Sequence, residues 1–222
     1  YEEVLKYAKS KGLITIADVK RNDIGSTAEA YARAYVGKTE FFGEKLPVFD
    51  ADALTVTAYL GYDGIKPFLD ECREQEKGLF VLVRTSNLSS GDLQDRVTVD
   101  EQISISELMG NFVEAWGAED LGESGYSFVG SVVGAPYPKE AAKLRKLMET
   151  SYFLVPGFGA QGGTAEDVKV CFNEDGLGAL VSSSREIIFA FEKVGGTKAG
   201  EDYAEAARDA AIKMNAAINA VR

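Results

Sequence analysis

The sequence predicts an α/β fold and, within that class, a TIM-type (β/α)8 barrel. Short runs of β-branched residues alternate with helical patterns along the whole chain, which is typical of βαβ units and a parallel sheet. Polar or glycine-rich segments follow several of the predicted strands, and the active sites of this fold lie at such strand ends. The chain has 222 residues, and a complete barrel typically has ~250.

The first half of the chain contains three predicted strands and the helices around them. The chain opens in a helix, residues 1–10, and the first strand covers residues 13–20. The next helix is expected to begin near Ser26, because Ser26 and Glu29 have the spacing of a capping box. The later elements of this half are expected as strands at 53–59 and 79–85, with a helix at 62–76 between them.

The second half continues the alternation with three more strands. A polar loop runs to residue 100, and a glycine-rich loop follows the fifth strand. Thr164 is expected to begin a helix, with Asp167 three residues later. The strands are predicted at 128–133, 152–155 and 178–183, and the helices at 103–121, at 138–149, from 164 and at 199–221.

Six strand–helix units favour a barrel that lacks its first two units over an open, doubly wound sheet. The ends of the predicted strands resemble parts of one site, whereas an open sheet binds its ligand in a crevice where the strand order reverses. No internal repeat or low-complexity linker divides the chain, so residues 1–222 are predicted to form a single domain. Because Tyr1 is not a methionine and falls within a predicted helix, the chain is expected to be part of a longer protein.

The composition excludes several classes of function. The formal net charge of -11 argues against a nucleic-acid binder, because phosphate neutralisation needs a basic surface. The chain has no histidine, which excludes histidine triads, histidine-ligated metals and histidine acids. Acid–base chemistry must therefore use Lys, Asp, Glu, Tyr or Cys.

The expected setting is a reducing, cytoplasmic one. No run approaches the ~18 apolar residues needed to cross a bilayer, and no secretory signal pattern is present, so no membrane partner is predicted. Cys72 and Cys171 fall in helical patterns and lack the spacing of a metal site. Free thiols of this kind are typical of cytoplasmic proteins.

The segment from Ile14 to Gly25 carries the most informative group of charges. On a strand with a two-residue period, Asp18 and Lys20 lie on the same face, and Asp23 follows three residues later. An isolated pair of this kind is more often a plain salt bridge. Here the pair extends an apolar face that is predicted to point inward, where a charge is costly unless it is paired or used in function.

Two loops near the end of the chain predict a phosphate site. Residues 156–164 read P-G-F-G-A-Q-G-G-T, and residues 182–185 read S-S-S-R after the last predicted strand. The loops after the final strands of such barrels commonly bind phosphate with backbone N–H groups and a helix N-terminus. The glycines allow close backbone approach, Gln161 supplies an amide and Arg185 supplies a bidentate guanidinium. A glycine-rich turn alone is more often only a turn, but two such loops with an arginine favour phosphate binding.

A third polar segment begins at Arg84 and continues T-S-N-L-S-S-G at the carboxyl end of another predicted strand. It could donate hydrogen bonds to a base or serve as a lid. A simple solvated loop fits the composition equally well. Tyr59, at the end of its strand, is expected to serve packing and not catalysis.

These motifs resemble those of the orotidine 5'-monophosphate decarboxylase family. The run D-V-K-R-N-D-I-G-S-T, which begins at Asp18, is similar to the family's D-x-K-x-x-D signature. The runs V-R-T-S-N, P-G-F-G-A-Q-G-G and S-R-E-I resemble the longer branch of that family. The similarity covers the whole chain, in register with strands three to eight of the family's barrel.

The resemblance implies an enzyme of de novo pyrimidine biosynthesis that converts orotidine 5'-monophosphate to uridine 5'-monophosphate. It implies that the enzyme uses neither a cofactor nor a metal and forms a homodimer with a shared active site. Asp18 would lie against the substrate carboxylate, and Lys20 would deliver a proton to C6 as CO2 leaves. Asp23 would reach across the dimer interface into the partner's site, and Thr27 would accompany it onto the ribose.

The resemblance implies binding roles for four further residues. Ser86 would hydrogen-bond the pyrimidine and help to close the site. Pro156 and Gln161 would line the base and phosphate region, and Arg185 would bind the phosphate. The family also uses an Asp near the end of strand one and a Lys near the end of strand two. Both are expected upstream of Tyr1, because those strands are not in this sequence.

Two alternatives stay open at this stage. Related sugar-phosphate barrel enzymes, such as keto-gulonate phosphate decarboxylase or hexulose phosphate synthase, share D-x-K-x-x-D but use Mg²⁺. A barrel that binds phosphate without catalysis is the other alternative. Activity in the presence of a chelator counts against the first, and turnover of substrate counts against the second.

Overall fold

The computed structural model describes residues 1–193 and 202–222. The chain divides into two compact units. The first unit comprises Tyr1–Val83, Met109–Val132 and Thr150–Tyr152, and the second comprises Arg84–Leu108, Val133–Glu149 and Phe153–Arg222. The single-domain organisation stays a prediction. No helix in the described ranges has both the length and the apolar character that crossing a membrane requires.

Helices and strands alternate along the chain as the sequence predicts. The strands are β1 (Ile16–Arg21), β2 (Lys38–Phe41), β3 (Glu44–Pro47), β4 (Ala53–Val56), β5 (Gly78–Arg84), β6 (Val129–Val133), β7 (Phe153–Pro156) and β8 (Ala179–Ser182). The helices are α1 (Glu2–Ser10), α2 (Gly25–Tyr35), α3 (Tyr62–Gln75), α4 (Gly91–Gln94), α5 (Ile105–Gly117), α6 (Pro138–Leu147), α7 (Ala165–Lys169), α8 (Ser184–Ile188) and α9 (Tyr203–Asn219). Short 3-10 turns lie at Leu88–Ser90 and Ala190–Glu192.

The first unit is built on parallel strands in the order β1–β4–β5–β6. Ile16 pairs with Ala53 and Ala53 with Gly78, so the three strands begin in register. All four residues of β4 are buried, as expected for a parallel strand that is covered on both faces. Helix α3 contributes Ile65 and Phe68, neither of which has any exposed surface, to the core of this unit.

A charge cluster lies at the amino ends of β1, β4 and β5 in the first unit. Lys9 and Lys77 both form ion pairs with Asp50 and Asp52. Asp52 also accepts 2.8 Å hydrogen bonds from the backbone N–H and the hydroxyl of Thr15. Partial burial raises the pKa of Asp52, but the bonds from Thr15 and Lys9 outweigh this effect, and the pKa lies below its ordinary value. This end of a barrel sheet usually contributes to stability and not to catalysis.

The second unit contains the parallel pair β7 and β8, in which Phe153 pairs with Ala179 and Pro156 with Ser182. The Thr164 hydroxyl accepts a bond from the Asp167 N–H, and the Asp167 carboxylate accepts one from the Thr164 N–H. This capping box begins α7, so the predicted helix start at Thr164 is confirmed. The core of this unit includes the fully buried side chains of Leu144, Met148, Phe153, Val155 and Val168.

Several predicted elements differ from the structure. The capping box at Ser26 and Glu29 is wrong, because α2 already begins at Gly25 and Glu29 pairs with Arg33 one turn later. Antiparallel strands β2 and β3 form a hairpin in a segment where no strand was predicted. Short helical segments, α4 and α8 among them, occupy regions that the sequence left as loops. The closing helix was predicted from residue 199, which lies outside the described residues, and α9 begins at Tyr203.

Both cysteines are buried and free. Cys72 lies in α3 as predicted, and Cys171 follows the end of α7. Burial raises the pKa of each thiol to about 12. Since the thiolate is the reactive form, neither cysteine is a nucleophile at neutral pH.

Candidate active site

Asp18 and Lys20 lie in contact near the carboxyl end of β1. Lys20 Nζ donates a 2.5 Å hydrogen bond to Asp18 Oδ1. The same oxygen accepts a 3.0 Å bond from the hydroxyl of Thr55 on β4. The Asp18 and Lys20 side chains are 60% and 49% exposed, whereas Thr55 has no exposed surface. A buried threonine thus hydrogen-bonds a solvent-accessible carboxylate, which in turn binds a solvent-accessible ammonium.

This contact does not arise from the regular strand alternation that the sequence predicts. The pairing of β1 with β4 shifts register between Ala17 and Arg21. Within the shift, Lys20 has φ 48°, in the left-handed region that non-glycine residues rarely adopt. Its N–H donates a 2.9 Å bond to the Thr55 hydroxyl. The apolar inward face expected beside the pair also differs, since Ile14 precedes β1 and is 83% exposed.

Asp23 and Thr27 lie beyond β1, at the start of α2. Asp23 is half-buried, and its Oδ1 accepts a 2.9 Å bond from the backbone N–H of Ile24. No ion pair joins Asp23 to Lys20 within residues 1–193 and 202–222. Thr27 is exposed in the first turn of α2. Among the described residues, neither Asp23 nor Thr27 forms a hydrogen bond or an ion pair with Asp18 or Lys20 of the same chain.

Thr55 is the site residue that the sequence interpretation missed. It makes hydrogen bonds to both members of the charged pair. The available signal was a single hydroxyl in a strand that is otherwise apolar, A-L-T-V. A buried hydroxyl needs a hydrogen-bond partner, so such a residue marks a polar contact inside the fold.

The glycine-rich loop of the second unit is closed by its own backbone. The N–H of Gly159 donates to the carbonyl of Gly163, and the N–H of Gly163 donates to the carbonyl of Gly157. Gly157 has φ 98°, and a Cβ atom there would lie 2.8 Å from Gln161 Oε1 and 3.2 Å from Ser86 Cβ. Only glycine fits this position. The loop therefore brings Gln161 and Ser86 close to the same backbone.

A small cavity of about 100 Å³ lies between this loop and the residues after β8. Pro156, Gln161, Ser183 and Arg185 contribute to its lining. Arg185 is exposed in the first turn of α8, and no ion pair engages it within the described residues. The cavity is smaller than the ~300 Å³ of a typical small-molecule pocket. Its size and free guanidinium suit one anionic group of a ligand, such as a phosphate.

The polar segment after β5 is organised around a buried arginine. The Arg84 side chain is 2% exposed, and its guanidinium lies 3.8 Å from the centre of the Tyr137 ring. It donates hydrogen bonds to the Ser90 hydroxyl, to Gln94 Oε1 at 3.2 Å and to Asp95 Oδ2 at 3.3 Å. The segment is therefore an ordered loop and not the simple solvated loop that the composition equally allowed.

Ser86 directly follows Thr85, which this loop holds by two hydrogen bonds. Gln94 Oε1 accepts a 2.9 Å bond from the Thr85 N–H, and Gln94 Nε2 donates a 2.8 Å bond to the Thr85 hydroxyl. On the other side, a Cβ atom on Gly134 would lie 2.8 Å from Ser86 Cα, so the backbones approach closely. Ser86 is half-buried and held in position by these neighbours.

A family model described as "Orotidine 5'-phosphate decarboxylase / HUMPS family" matches residues 2–211. An orotidine 5'-phosphate decarboxylase of Caldicellulosiruptor bescii is 47% identical over 190 residues, which cover 86% of this chain and 62% of that protein. The enzyme of the same name from Rhodopirellula baltica is 46% identical over 215 residues, or 96% of this chain and 70% of that protein. The chain thus spans less than two thirds of the first relative.

Solved structures agree with these sequence relatives. The OMP decarboxylase of Leishmania donovani superposes with a TM-score of 0.72 at 30% identity, covering 98% of this chain and 73% of the other. The putative orotidine 5'-phosphate decarboxylase of Streptomyces avermitilis superposes with a TM-score of 0.77 at 31% identity, covering 99% of this chain and 69% of the other. These similarities and the alternating parallel strands and helices fit an α/β TIM barrel. The chain belongs to the orotidine 5'-phosphate decarboxylase / HUMPS family.

Proposed function

We propose that the protein decarboxylates orotidine 5'-monophosphate to uridine 5'-monophosphate in pyrimidine biosynthesis, with Lys20 as the proton donor. The observation that carries the proposal is the 2.5 Å contact between the Lys20 ammonium and the Asp18 carboxylate, on a chain of this family. The names of the relatives that are 46–47% identical favour this reaction over the sugar-phosphate reactions of the same family.

The proposed chemistry needs no cofactor. The bond between C6 and the substrate carboxylate breaks, CO2 leaves, and the bonding electron pair stays on C6. A fixed ammonium beside C6 stabilises this charge as it develops, and Lys20 then transfers a proton to C6. The neutral amine regains its proton from solvent before the next turnover.

Asp18 has a second, smaller role in this proposal. Its carboxylate would lie against that of the substrate, and two such charges ~4 Å apart repel by ~4 kcal/mol at an effective dielectric near 20. Loss of CO2 relieves this repulsion. Ground-state repulsion is a contested source of rate, so its contribution ranks below the stabilisation by Lys20.

Four further residues would bind the parts of the nucleotide that do not react. Arg185 and Gln161 would hold the phosphate at the small cavity, with Pro156 beside the base. Ser86, fixed by its neighbours, would hydrogen-bond the pyrimidine. Binding energy from the remote phosphate can then be used to lower the barrier at C6.

The proposal includes a homodimer with shared sites and a cytoplasmic location. Asp23 and Thr27 would enter the partner's site and complete its charge array and ribose contacts. They lie at the start of α2, and no hydrogen bond or ion pair among the described residues joins them to the Asp18–Lys20 pair of their own chain, which supports this assignment. The six parallel strands would be strands three to eight of the barrel, as the sequence register predicts.

The test is an assay of CO2 release from orotidine 5'-monophosphate by the purified protein, with and without EDTA. We expect uridine 5'-monophosphate to form at the same rate in both conditions. Activity that EDTA abolishes, or turnover only of a keto-gulonate or hexulose phosphate, would assign the protein to the Mg²⁺-dependent members of the family. Binding of the nucleotide without turnover would indicate a phosphate-binding barrel.

A further inference from the structure

Thr55 occupies an unusual place in the first unit, because its hydroxyl connects two parts of the charged pair. It donates to Asp18 Oδ1 at 3.0 Å and accepts from the Lys20 N–H at 2.9 Å. A hydroxyl carries one proton, so donation to Asp18 leaves the oxygen lone pairs for Lys20. The hydroxyl thus bridges the backbone of one charged residue and the side chain of the other.

Neither charged residue is fixed by burial. Their side chains are 60% and 49% exposed, and an exposed ion pair alone holds its geometry weakly. Thr55, in contrast, has no exposed surface and lies on a strand whose four residues are all buried. The core of the unit therefore fixes the position of Thr55. The hydrogen bond from its hydroxyl in turn fixes the position of the Asp18 carboxylate.

The backbone of Lys20 is also held by the Thr55 hydroxyl. Lys20 has φ 48° and lies inside the register shift between Ala17 and Arg21, so it has no regular ladder partner on β4. A non-glycine residue rarely adopts this conformation unless its surroundings hold it. The bond from its N–H to Thr55 replaces the missing ladder bond and holds the residue from which the ammonium projects.

We infer that Thr55 is a positioning residue for the reaction, which fixes the Asp18 carboxylate and the Lys20 backbone in the geometry that proton transfer requires. The inference rests on the proposed function. Thr55 and Lys20 Nζ together occupy Oδ1 of Asp18, and no hydrogen bond reaches Oδ2 from the described residues. Oδ2 is therefore the atom that is free to face a substrate carboxylate.

The same unit offers a matched control. The Thr15 hydroxyl donates to Asp52 Oδ2 at 2.8 Å and accepts from the Asp52 N–H at 3.2 Å. Thr15 is 6% exposed, and its aspartate also pairs with a lysine, Lys9. The two threonines thus make the same kind of contacts, but Thr15 lies at the amino ends of the strands and Thr55 near the carboxyl ends.

The experiment compares Thr55→Val, Thr55→Ser and Thr15→Val with the wild-type protein. Steady-state kinetics with orotidine 5'-monophosphate give kcat and KM, and thermal unfolding gives Tm. Thr55→Val should lower kcat about 10- to 100-fold, the effect of two lost hydrogen bonds, and change KM by less than about 3-fold. Thr55→Ser, which keeps the hydroxyl, should stay within about 3-fold of wild type. Thr15→Val should lower Tm but leave kcat unchanged.

Hydrogen exchange of the β1 peptide supplies a measurement that does not depend on activity. Thr55→Val should reduce protection of the Lys20 N–H, and Thr55→Ser should preserve it. If the wild-type protein proves inactive, the proposed function fails, and this measurement still decides whether Thr55 holds the pair. Thr55→Ala, which also lacks the hydroxyl, replaces Thr55→Val if that variant does not fold.

Three results would overturn the inference. The first is a kcat for folded Thr55→Val within about 3-fold of wild type. The second is an equal loss of kcat in Thr15→Val, which would show that any buried threonine contact of this unit affects the rate. The third is unchanged protection of the Lys20 N–H in Thr55→Val.

Discussion

The Thr55 hydroxyl donates a 3.0 Å hydrogen bond to Asp18 Oδ1, and so a fully buried residue of β4 holds an exposed carboxylate of β1. The carboxylate is thereby positioned by the neighbouring strand as well as by Lys20 of its own strand. Parallel strands that begin in register make such a contact possible, because residues near their carboxyl ends lie side by side.

The contacts of Asp52 predict how stability depends on pH. Its pKa is lowered in the folded protein from an ordinary value of 3.8, so its contribution is complete above that value and is lost as the pH falls through the folded pKa. At pH 7, Asp52→Asn should reduce the free energy of unfolding by about 1–3 kcal/mol. As the pH falls below 3.8, the difference between wild type and variant should shrink.

Urea unfolding at pH 7 and at about pH 3 measures this difference. Asp209→Asn, a change at an exposed position of α9, serves as the control and should have little effect at either pH. A difference between wild type and Asp52→Asn that is constant with pH would contradict the assigned contacts.

Arg84 predicts an effect on the loop that carries Ser86. Arg84→Leu removes the bonds to Gln94 and Asp95 and should destabilise the protein by about 2–4 kcal/mol. Because the loop then loses the guanidinium that binds its side chains, hydrogen exchange across residues 85–95 should accelerate. Ser86 would no longer be held in place, so KM for the nucleotide should rise about 10-fold or more. Arg84→Lys should not restore the loop, since an ammonium lacks the planar fork and stacks less well.

The control for Arg84 is Arg33→Leu, which removes an exposed arginine that pairs with Glu29 on α2. This change should leave both exchange and KM near wild type. Unchanged exchange of residues 85–95 in a folded Arg84→Leu protein would show that Arg84 does not organise the loop.

If Arg185 binds the phosphate, its loss should reduce activity on the nucleotide far more than activity on the phosphate-free nucleoside. Arg185→Ala should reduce kcat/KM for the nucleotide by about 100-fold or more, because a charge-assisted phosphate contact is lost. The much slower reaction of the phosphate-free nucleoside should change by less than about 3-fold. Arg208→Ala, at an exposed site of α9, controls for a general loss of positive charge. Equal losses on both substrates would remove Arg185 from the phosphate site.

Asp23 predicts complementation between subunits. In the proposed dimer, each site uses Lys20 of one chain and Asp23 of the other. Mixing inactive Lys20→Ala with inactive Asp23→Asn should therefore restore up to roughly a quarter of wild-type activity after random exchange of subunits. Exchange confirmed by mass spectrometry without any return of activity would place Asp23 in the site of its own chain.

The order of strands and helices could be predicted from the sequence because their hydrophobic patterns are local. The helix at 62–76 and the start of the helix after Thr164 match the structure closely. The hairpin of β2 and β3 was missed, because K-T-E-F and E-K-L-P lack the β-branched, alternating pattern of a strand and all but one of their residues are exposed. Ser26 has the spacing of a cap with Glu29, but it lies inside α2, whose N-cap is Ile24.

The charged pair could be proposed from D-x-K spacing, but the way in which it is held could not. The left-handed backbone of Lys20 and its bond to Thr55 depend on how β1 pairs with a strand 35 residues later. Likewise, Arg84 is only one of several polar residues in the sequence of this segment. The structure shows that its guanidinium hydrogen-bonds Gln94 and stacks on the Tyr137 ring. The spacing of residues within one segment does not predict contacts between residues that are distant in sequence.

Proton transfer from Lys20 is tested most directly by comparing wild type and Lys20→Ala in D2O with orotidine 5'-monophosphate as substrate. Mass spectrometry then measures uridine 5'-monophosphate and its deuterium at C6. Wild type should release CO2 and form product with one deuterium at C6, while a folded Lys20→Ala protein should form none above the uncatalysed background. Substantial turnover by folded Lys20→Ala would contradict Lys20 as the proton donor.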